Sequence, residues 1–190
     1  MKASFLFSIW LLIATFAAPL RAQTPLHEMA LPTVHGQNYA LASVKEQPLS
    51  VFFFLAPECP LCENYALTIK ELRRQFDRQE VSFYGIFAGT TYSPAEITHY
   101  MARFQLPVKA LKDPQYQLTQ HFGATVTPEV FVVDPAGNVL YQGKIDNWIA
   151  ALGKKRLQAT RFYLRDALTA ALEGEAVALA KTEAVGCLIE

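Results

Sequence analysis

The chain has 190 residues, enough for one domain with a sizeable core, and its 52% hydrophobic and 18% charged residues are typical of a globular protein. Lys plus Arg and Asp plus Glu both number 17, so the formal net charge is zero. This balance gives no support for a nucleic-acid partner, which would favour a basic face.

The first residues have the pattern of an export signal. Lys2 supplies a positive charge, and residues 5–18 form an apolar segment of about 14 residues, short for a membrane span of about 20. We predict a signal peptide over residues 1–22, with Ala22 as the last residue before cleavage. Cleavage near Ala17 or Ala18 and an uncleaved anchor are the alternatives. The protein is then exported, periplasmic or extracellular, with no stable membrane insertion after cleavage.

Hydrophobic periodicity after the signal predicts alternating strands and helices. The expected elements are a hairpin (31–34 with 38–41), a buried strand (49–55), a helix (60–77), a strand (81–87), a helix starting at Ser93, a strand (106–111), a helix (113–122), a second hairpin (129–133 with 139–142) and a last helix (159–172). Strands that alternate with helices and end in a hairpin plus a helix predict an α/β sandwich. We expect this domain to span residues 23–174, followed by an extended tail over residues 175–190.

The motif Cys59-Pro60-Leu61-Cys62 follows the apolar strand and opens the first long helix. This arrangement is typical of a thiol-disulfide redox site. Cys59 is expected at the helix N-cap, where free N–H groups and the helix dipole stabilise a thiolate. Cys62, one turn further in, should be more buried and less acidic. Cys59 is therefore predicted to be the nucleophile and Cys62 the resolving thiol.

Three other interpretations of this motif are weaker. A structural disulfide could use the same spacing, although the pair directly follows a core strand. Haem attachment needs His after the second cysteine, where this chain has Glu63. A zinc site needs two more ligands, which could come only from distant residues. We expect neither a metal nor an organic cofactor.

A second motif, Val126-Thr127-Pro128-Glu129, lies about 65 residues after the cysteine pair. Here the sequence resembles the thioredoxin-like superfamily, whose members carry a Pro, preceded by a cis peptide bond, before the strand that faces the C-x-x-C motif. The resemblance implies a three-layer α/β/α sandwich with an N-terminal β-hairpin. It also implies that Pro128 lies against Cys59, and that the backbone of Thr127 pairs with a bound substrate beside Pro60 and Leu61.

Within that superfamily the chain is most similar to the exported redoxin branch, which includes the alkyl hydroperoxide reductase/thiol-specific antioxidant family. Two residues depart from its patterns. Glu58 stands where many thiol reductases have Trp before the first cysteine. Ala56 stands where peroxiredoxins have Thr or Ser, whose hydroxyl helps to orient the peroxide.

Cys187 is the odd cysteine in the chain, and it lies in the predicted tail. An unpaired cysteine in an exported protein indicates either a reactive thiol or an intermolecular bond. Cys187 is a candidate third redox thiol, but it could equally be an exposed free thiol. Three thiolates would also suit Cu(I), with His99 and His121 as further candidate ligands.

The sequence therefore predicts a thiol-disulfide oxidoreductase that acts on protein or small-molecule disulfides and thiols through Cys59 and Cys62. It does not identify the electron donor or acceptor. An antioxidant thiol peroxidase and a non-enzymatic Cu(I) carrier are the alternatives.

Overall fold

A computed structural model describes residues 24–190, so the predicted signal peptide lies outside the described residues. Its centre is a five-stranded sheet, whose strands lie side by side in the order Lys109–Asp113, Ser82–Ala88, Ser50–Phe54, Glu129–Val133 and Val139–Gly143. The strands, in chain order, are β1 (Ala30–Pro32), β2 (Asn38–Ala40), β3 (Ser50–Phe54), β4 (Ser82–Ala88), β5 (Lys109–Asp113), β6 (Val126–Thr127), β7 (Glu129–Val133), β8 (Val139–Gly143), β9 (Ile149–Ala151), β10 (Lys154–Lys155) and β11 (Cys187–Leu188). The α-helices are α1 (Pro60–Gln75), α2 (Pro94–Phe104), α3 (Gln117–Phe122) and α4 (Tyr163–Leu172).

Strand β3 lies in the middle of the sheet and is buried along its whole length. Successive side chains of a strand point to opposite faces, so β3 contributes to two cores. Val51 and Phe53 pack with α1, α2 and α4, whereas Phe52 and Phe54 pack with α3 and the N-terminal hairpin. The result is the predicted three-layer α/β/α sandwich.

The topology of the sheet brings the two sequence motifs together. Strand β3 pairs in parallel with β4 and antiparallel with β7, and Phe54 lies opposite Glu129. The loop that leaves the end of β3 therefore meets the residues that enter β7. This juxtaposition brings Cys59 to the edge of the sheet where Pro128 lies.

Three elements begin later than the sequence predicts. One is α4, which begins at Tyr163 rather than at residue 159 because the N–H groups of Thr160 and Arg161 donate to the Asn147 side chain instead. Strand β5 begins at Lys109 because Gln105, the residue after α2, adopts the left-handed conformation and Pro107 lacks an N–H for strand pairing. Helix α3 begins at Gln117, since a turn closed by Asp113 precedes it. The Asp113 carboxylate then accepts hydrogen bonds from the backbone N–H groups of Gln117 and Thr119, both at 2.8 Å.

Residues 175–190 run in an extended conformation and dock on the domain. The tail pairs with the outer edge of β8, where the Gln142 N–H donates to the Ala180 carbonyl and the Thr182 N–H donates to the Gln142 carbonyl, both at 2.9 Å. The Thr182 hydroxyl also accepts from the Lys144 N–H at 2.8 Å. Among residues 24–190, no helix combines the length and hydropathy that a membrane crossing requires.

Candidate active site

Cys59 occupies the N-cap of α1, and Pro60 is the first helical residue. Proline suits this position because its fixed φ fits a helix and its missing N–H would have had no helical partner. The Cys59 N–H donates to the Ala56 carbonyl at 3.1 Å, which closes the turn between β3 and α1. Only 2% of Cys59 is exposed, so the reduced thiol lies beneath the surface.

The cysteine motif and the proline motif meet at this point. The Cys59 thiol lies 3.1 Å from the carbonyl oxygen of Thr127, within hydrogen-bond distance. The Thr127–Pro128 peptide bond is cis. Thr127 is buried, and its hydroxyl favours the thiolate form of both Cys59 and Cys62. Pro60 is exposed and Leu61 is half-buried, at the outer rim of the thiol pair.

The surroundings of Cys59 stabilise a thiolate. A hydrogen bond from the Cys62 thiol is the largest cause, and further hydrogen bonds come from the Cys187 thiol and the backbone N–H of Cys62. Together they lower the pKa of Cys59 to about 4, although burial acts in the opposite direction. Cys59 is therefore ionised at neutral pH.

Cys62 has the opposite character. It is fully buried in the core cluster between the sheet and α1. Burial, followed by its hydrogen bond to Cys59 and the Cys59 charge, raises the pKa of Cys62 well above its usual range. The site thus pairs an ionised thiol at the helix terminus with a protonated thiol behind it.

Glu58 and Glu63 flank the motif, and their negative charges could oppose ionisation of Cys59. The structure places the two carboxylates in different surroundings. Glu58 is exposed to solvent, which screens its charge. Glu63 is half-buried and lies 3.7 Å from the Arg103 guanidinium on α2, so a positive charge compensates it. Neither carboxylate is among the main influences on the pKa of Cys59.

The tail brings Cys187 to the same site. Strand β11 pairs antiparallel with β6, with Cys187 opposite Thr127 and Leu188 opposite Val126. Burial, together with the neighbouring Cys59, raises the pKa of Cys187 to about 11. The three cysteines are free thiols, and Cys187 is the most exposed of them.

The tail also closes one side of the site. A small cavity of about 170 Å³ lies between the end of the sheet and the last residues of the chain. Its walls include Ala56, Tyr92 and Thr127 from the domain and Leu188, Ile189 and Glu190 from the tail.

Two tyrosines near the thiols were missed by the sequence analysis. Tyr100 on α2 is buried, and its hydroxyl has no hydrogen-bond partner among residues 24–190. Burial and the nearby Cys62 and Cys59 charges raise its pKa. Burial likewise raises the pKa of Tyr92, followed by the charges of Glu58 and Cys59. Helical spacing predicts that residue 100 is buried, but it carries no sign of where a hydroxyl would point.

The candidate histidine ligands are separated in the fold. His99 is exposed on α2, whereas His121 is half-buried on α3 in the other helical layer. Within residues 24–190, no cluster of three or more His, Cys, Asp or Glu side chains is arranged to hold a metal ion.

Comparison with known proteins agrees with this geometry. The chain is 23% identical to the chloroplastic peroxiredoxin Q of Gentiana triflora over 134 residues, which cover 67% of this chain and 60% of that protein. The chain therefore spans less than two thirds of that relative.

Two solved structures of low identity share the fold. One is an uncharacterized conserved protein from Geobacillus kaustophilus, with a TM-score of 0.75, 22% identity, and coverage of 88% of this chain and 90% of that chain.

The other is a secreted Mycobacterium tuberculosis disulfide oxidoreductase homologous to E. coli DsbE, with a TM-score of 0.54, 16% identity, and coverage of 77% of this chain and 96% of that chain. The family model described as the AhpC/TSA family matches residues 22–142, which include Cys59, Cys62 and Pro128. This match covers more than half of the chain, and the fold is that of the thioredoxin-like redoxins, so the protein belongs to the AhpC/TSA family of that superfamily.

Proposed function

We propose that the protein is a thiol-disulfide oxidoreductase, with Cys59 as the nucleophile and Cys62 as the resolving thiol. The observation that carries this proposal is the asymmetry of the pair. Cys59 lies at the N-terminus of α1 with its pKa lowered to about 4, and Cys62 lies behind it with its pKa raised well above the usual range. Thiolates attack disulfides and thiols do not, so this asymmetry supports attack by Cys59 first and resolution by Cys62 second.

In the reducing direction, the Cys59 thiolate attacks one sulfur of a substrate disulfide. A bond forms between Cys59 and that sulfur, the substrate S–S bond breaks, and the other sulfur leaves as a thiolate. Cys62 then loses its proton and attacks the Cys59 sulfur, which releases the second substrate thiolate. The substrate gains two electrons, and Cys59 and Cys62 become a disulfide. The oxidising direction is the reverse, and the reduction potential decides between them.

Formation of the mixed disulfide at Cys59 makes the following attack by Cys62 easier. Two of the causes that raise the pKa of Cys62 are its hydrogen bond to the Cys59 thiolate and the charge of that thiolate. Both disappear once Cys59 enters a mixed disulfide. Cys62 then deprotonates more readily, although its burial still opposes ionisation.

The surface beside the motif offers a place for substrate. An open groove of about 390 Å³ begins at Pro57 and Glu58 and follows α2. Its lining combines apolar side chains such as Tyr92 and Phe104 with the charged groups of Glu96 and Arg103. We propose that protein or small-molecule disulfides and thiols approach Cys59 along this side. An exported location, where disulfides persist, is part of the same proposal.

Insulin reduction tests the proposed activity. The protein without its signal peptide should catalyse reduction of insulin disulfides by a thiol donor. Cys59→Ser should reduce the rate to background. Leu67→Ala is a matched control because Leu67 is 62% exposed on α1. A Cys59→Ser variant as active as the parent protein would refute the assignment of the nucleophile.

Peroxide reduction is the second candidate, because the chain is similar to a peroxiredoxin. Ala56 provides no hydroxyl three residues before Cys59. We therefore expect peroxide turnover with a thiol donor to be slower than disulfide exchange. Competition between hydrogen peroxide and glutathione disulfide for reduced Cys59 would decide between the two. Faster reaction with the peroxide would favour the peroxidase.

A further inference from the structure

We propose that Cys187 is a second resolving thiol, carried on a C-terminal strand that is built into the active site. This inference rests on the proposed role of Cys59 as nucleophile. Cys59 would exchange its disulfide partner between Cys62 in the core and Cys187 on the tail. Three features of the tail support it.

The first feature is the register of β11. Cys187 pairs with Thr127, and the carbonyl of Thr127 is the group that the Cys59 thiol contacts at 3.1 Å. The two cysteines therefore meet at one backbone position. Leu188, the next residue, lies on the opposite side of the strand from Cys187 and is 76% exposed.

The second feature is that the tail is fixed on both sides of Cys187. Before it, the Thr182 hydroxyl lies 2.7 Å from the Tyr141 hydroxyl. After it, the Ile189 N–H donates to the Thr125 carbonyl at 3.0 Å, and the Tyr116 hydroxyl donates to the Glu190 carbonyl. A thiol held in this way acts at a high effective concentration.

The third feature is the close fit at Gly186. A Cβ added there would collide with the backbone of Thr127. Residue 186 must therefore lack a side chain if β11 is to approach β6 this closely. The tail also stays close to the domain after this point, because Leu188, Ile189 and Glu190 form one wall of the cavity beside Thr127.

The exchange balances with a disulfide as the oxidant. The Cys59 thiolate attacks glutathione disulfide, a mixed disulfide forms, and one glutathione thiolate leaves. Cys187 loses its proton and attacks the Cys59 sulfur, which releases the second glutathione thiolate. Two protein thiols become one disulfide, and glutathione disulfide becomes two molecules of glutathione. The Cys59 charge that opposes ionisation of Cys187 is absent at the second step.

The test removes the competing thiol. Reduced Cys62→Ser protein is treated with glutathione disulfide, digested without reduction and mapped by mass spectrometry. We expect a monomer that contains a Cys59–Cys187 disulfide, whereas the Cys62→Ser/Cys187→Ser variant should keep glutathione on Cys59. Release of glutathione should be at least about tenfold faster in the single variant, because the attack is intramolecular.

A third variant tests the geometry. Cys62→Ser/Cys187→Ser/Leu188→Cys moves the tail thiol by one residue, to the opposite side of the strand. Its glutathione release should fall close to that of the variant without a tail thiol. Cys62→Ser protein that keeps glutathione on Cys59, with Cys187 free, would overturn the proposal. Equal rates of glutathione release in the Cys62→Ser protein and in this third variant would overturn it as well. Neither result would bear on whether Cys59 and Cys62 form a disulfide in the parent protein, so the proposed function would still stand.

Discussion

At the scale of single residues, the chemistry of the site depends on hydrogen bonds to one sulfur. Cys59 is ionised because the Cys62 and Cys187 thiols and the backbone N–H of Cys62 all donate toward it. A helix terminus alone contributes about 1 kcal/mol or less at an exposed position. The several hydrogen-bond donors around its sulfur, rather than the helix terminus alone, therefore account for most of the lowered pKa of Cys59.

The first prediction concerns the ionisation of Cys59. Titration of the reduced protein, followed by the ultraviolet absorbance of the thiolate, should show an inflection near the pKa of about 4. Cys62→Ala removes the largest stabilising hydrogen bond and should raise the inflection by at least about one unit. Leu61→Ala, at the neighbouring position, should leave it in place. An unchanged inflection in Cys62→Ala would show that another group stabilises the thiolate.

The second prediction concerns stability and pH. The pKa of Cys59 is lowered on folding, so its contribution to stability is complete above the pKa of the unfolded chain and disappears as the pH falls toward about 4. Between about pH 5 and about pH 8, the unfolding free energy of the reduced protein should therefore rise relative to that of Cys59→Ser. The slope should not exceed about 1.4 kcal/mol per pH unit.

Urea unfolding of both proteins across this range measures the difference. Cys62 and Cys187, whose pKa values are raised on folding, affect stability only as the pH approaches the pKa of an unfolded thiol. They therefore leave the lower part of this range unaffected. A constant difference between the two proteins would contradict a low pKa for Cys59.

At the scale of secondary structure, the C-terminal tail covers the thiol site. Strand β11 covers the edge of β6, where the thioredoxin-like resemblance implies that a substrate chain pairs. Cys59 is consequently only 2% exposed in the reduced protein. We therefore expect that a large substrate would have to displace β11 in order to pair with Thr127.

The third prediction tests this cover. Gly186→Ala introduces a methyl group against the backbone of Thr127 and should loosen β11. We expect iodoacetamide to alkylate Cys59 about tenfold faster, which corresponds to about 1.4 kcal/mol less stable docking. Leu67→Ala is the control, since Leu67 is 62% exposed on α1 and does not contact the tail. Identical alkylation rates in the two variants would show that the tail does not shield Cys59.

The two motifs and the order of the elements were predictable from the sequence because their signals are local. Pro60 fixes the first helical position, and continuous burial marks β3. The docking of the tail was not predictable, since residues 175–190 show no periodicity and their partners are distant in the chain. The start of α3 was also wrong, because Asp113 caps the helix from a position before the turn rather than from its N-cap.

At the scale of the whole molecule, the sheet holds the site rigid. The central strand β3 contributes to both cores and leads directly into the loop that carries Cys59. The antiparallel partner β7 begins immediately after Pro128. The relative position of the two motifs therefore depends on the register between β3 and β7.

The fourth prediction concerns this framework. Phe53 is fully buried between α1 and the sheet, so Phe53→Ala should reduce the unfolding free energy by about 3–5 kcal/mol. Leu67→Ala, at a position that is 62% exposed, should change it by no more than about 0.5 kcal/mol. Denaturant unfolding of the two variants provides the comparison. Equal losses would show that the core on the α1 side is not packed as described.

An equilibrium titration in glutathione buffers tests most directly whether Cys59 and Cys62 form the redox couple. The Cys187→Ser variant should be used, so that the tail thiol cannot take part, and alkylation with peptide mass mapping should identify the oxidised residues. We predict a reversible two-electron transition that converts Cys59 and Cys62 into one disulfide. Cys59 and Cys62 that remain separate thiols, or that carry glutathione individually at every potential, would contradict it.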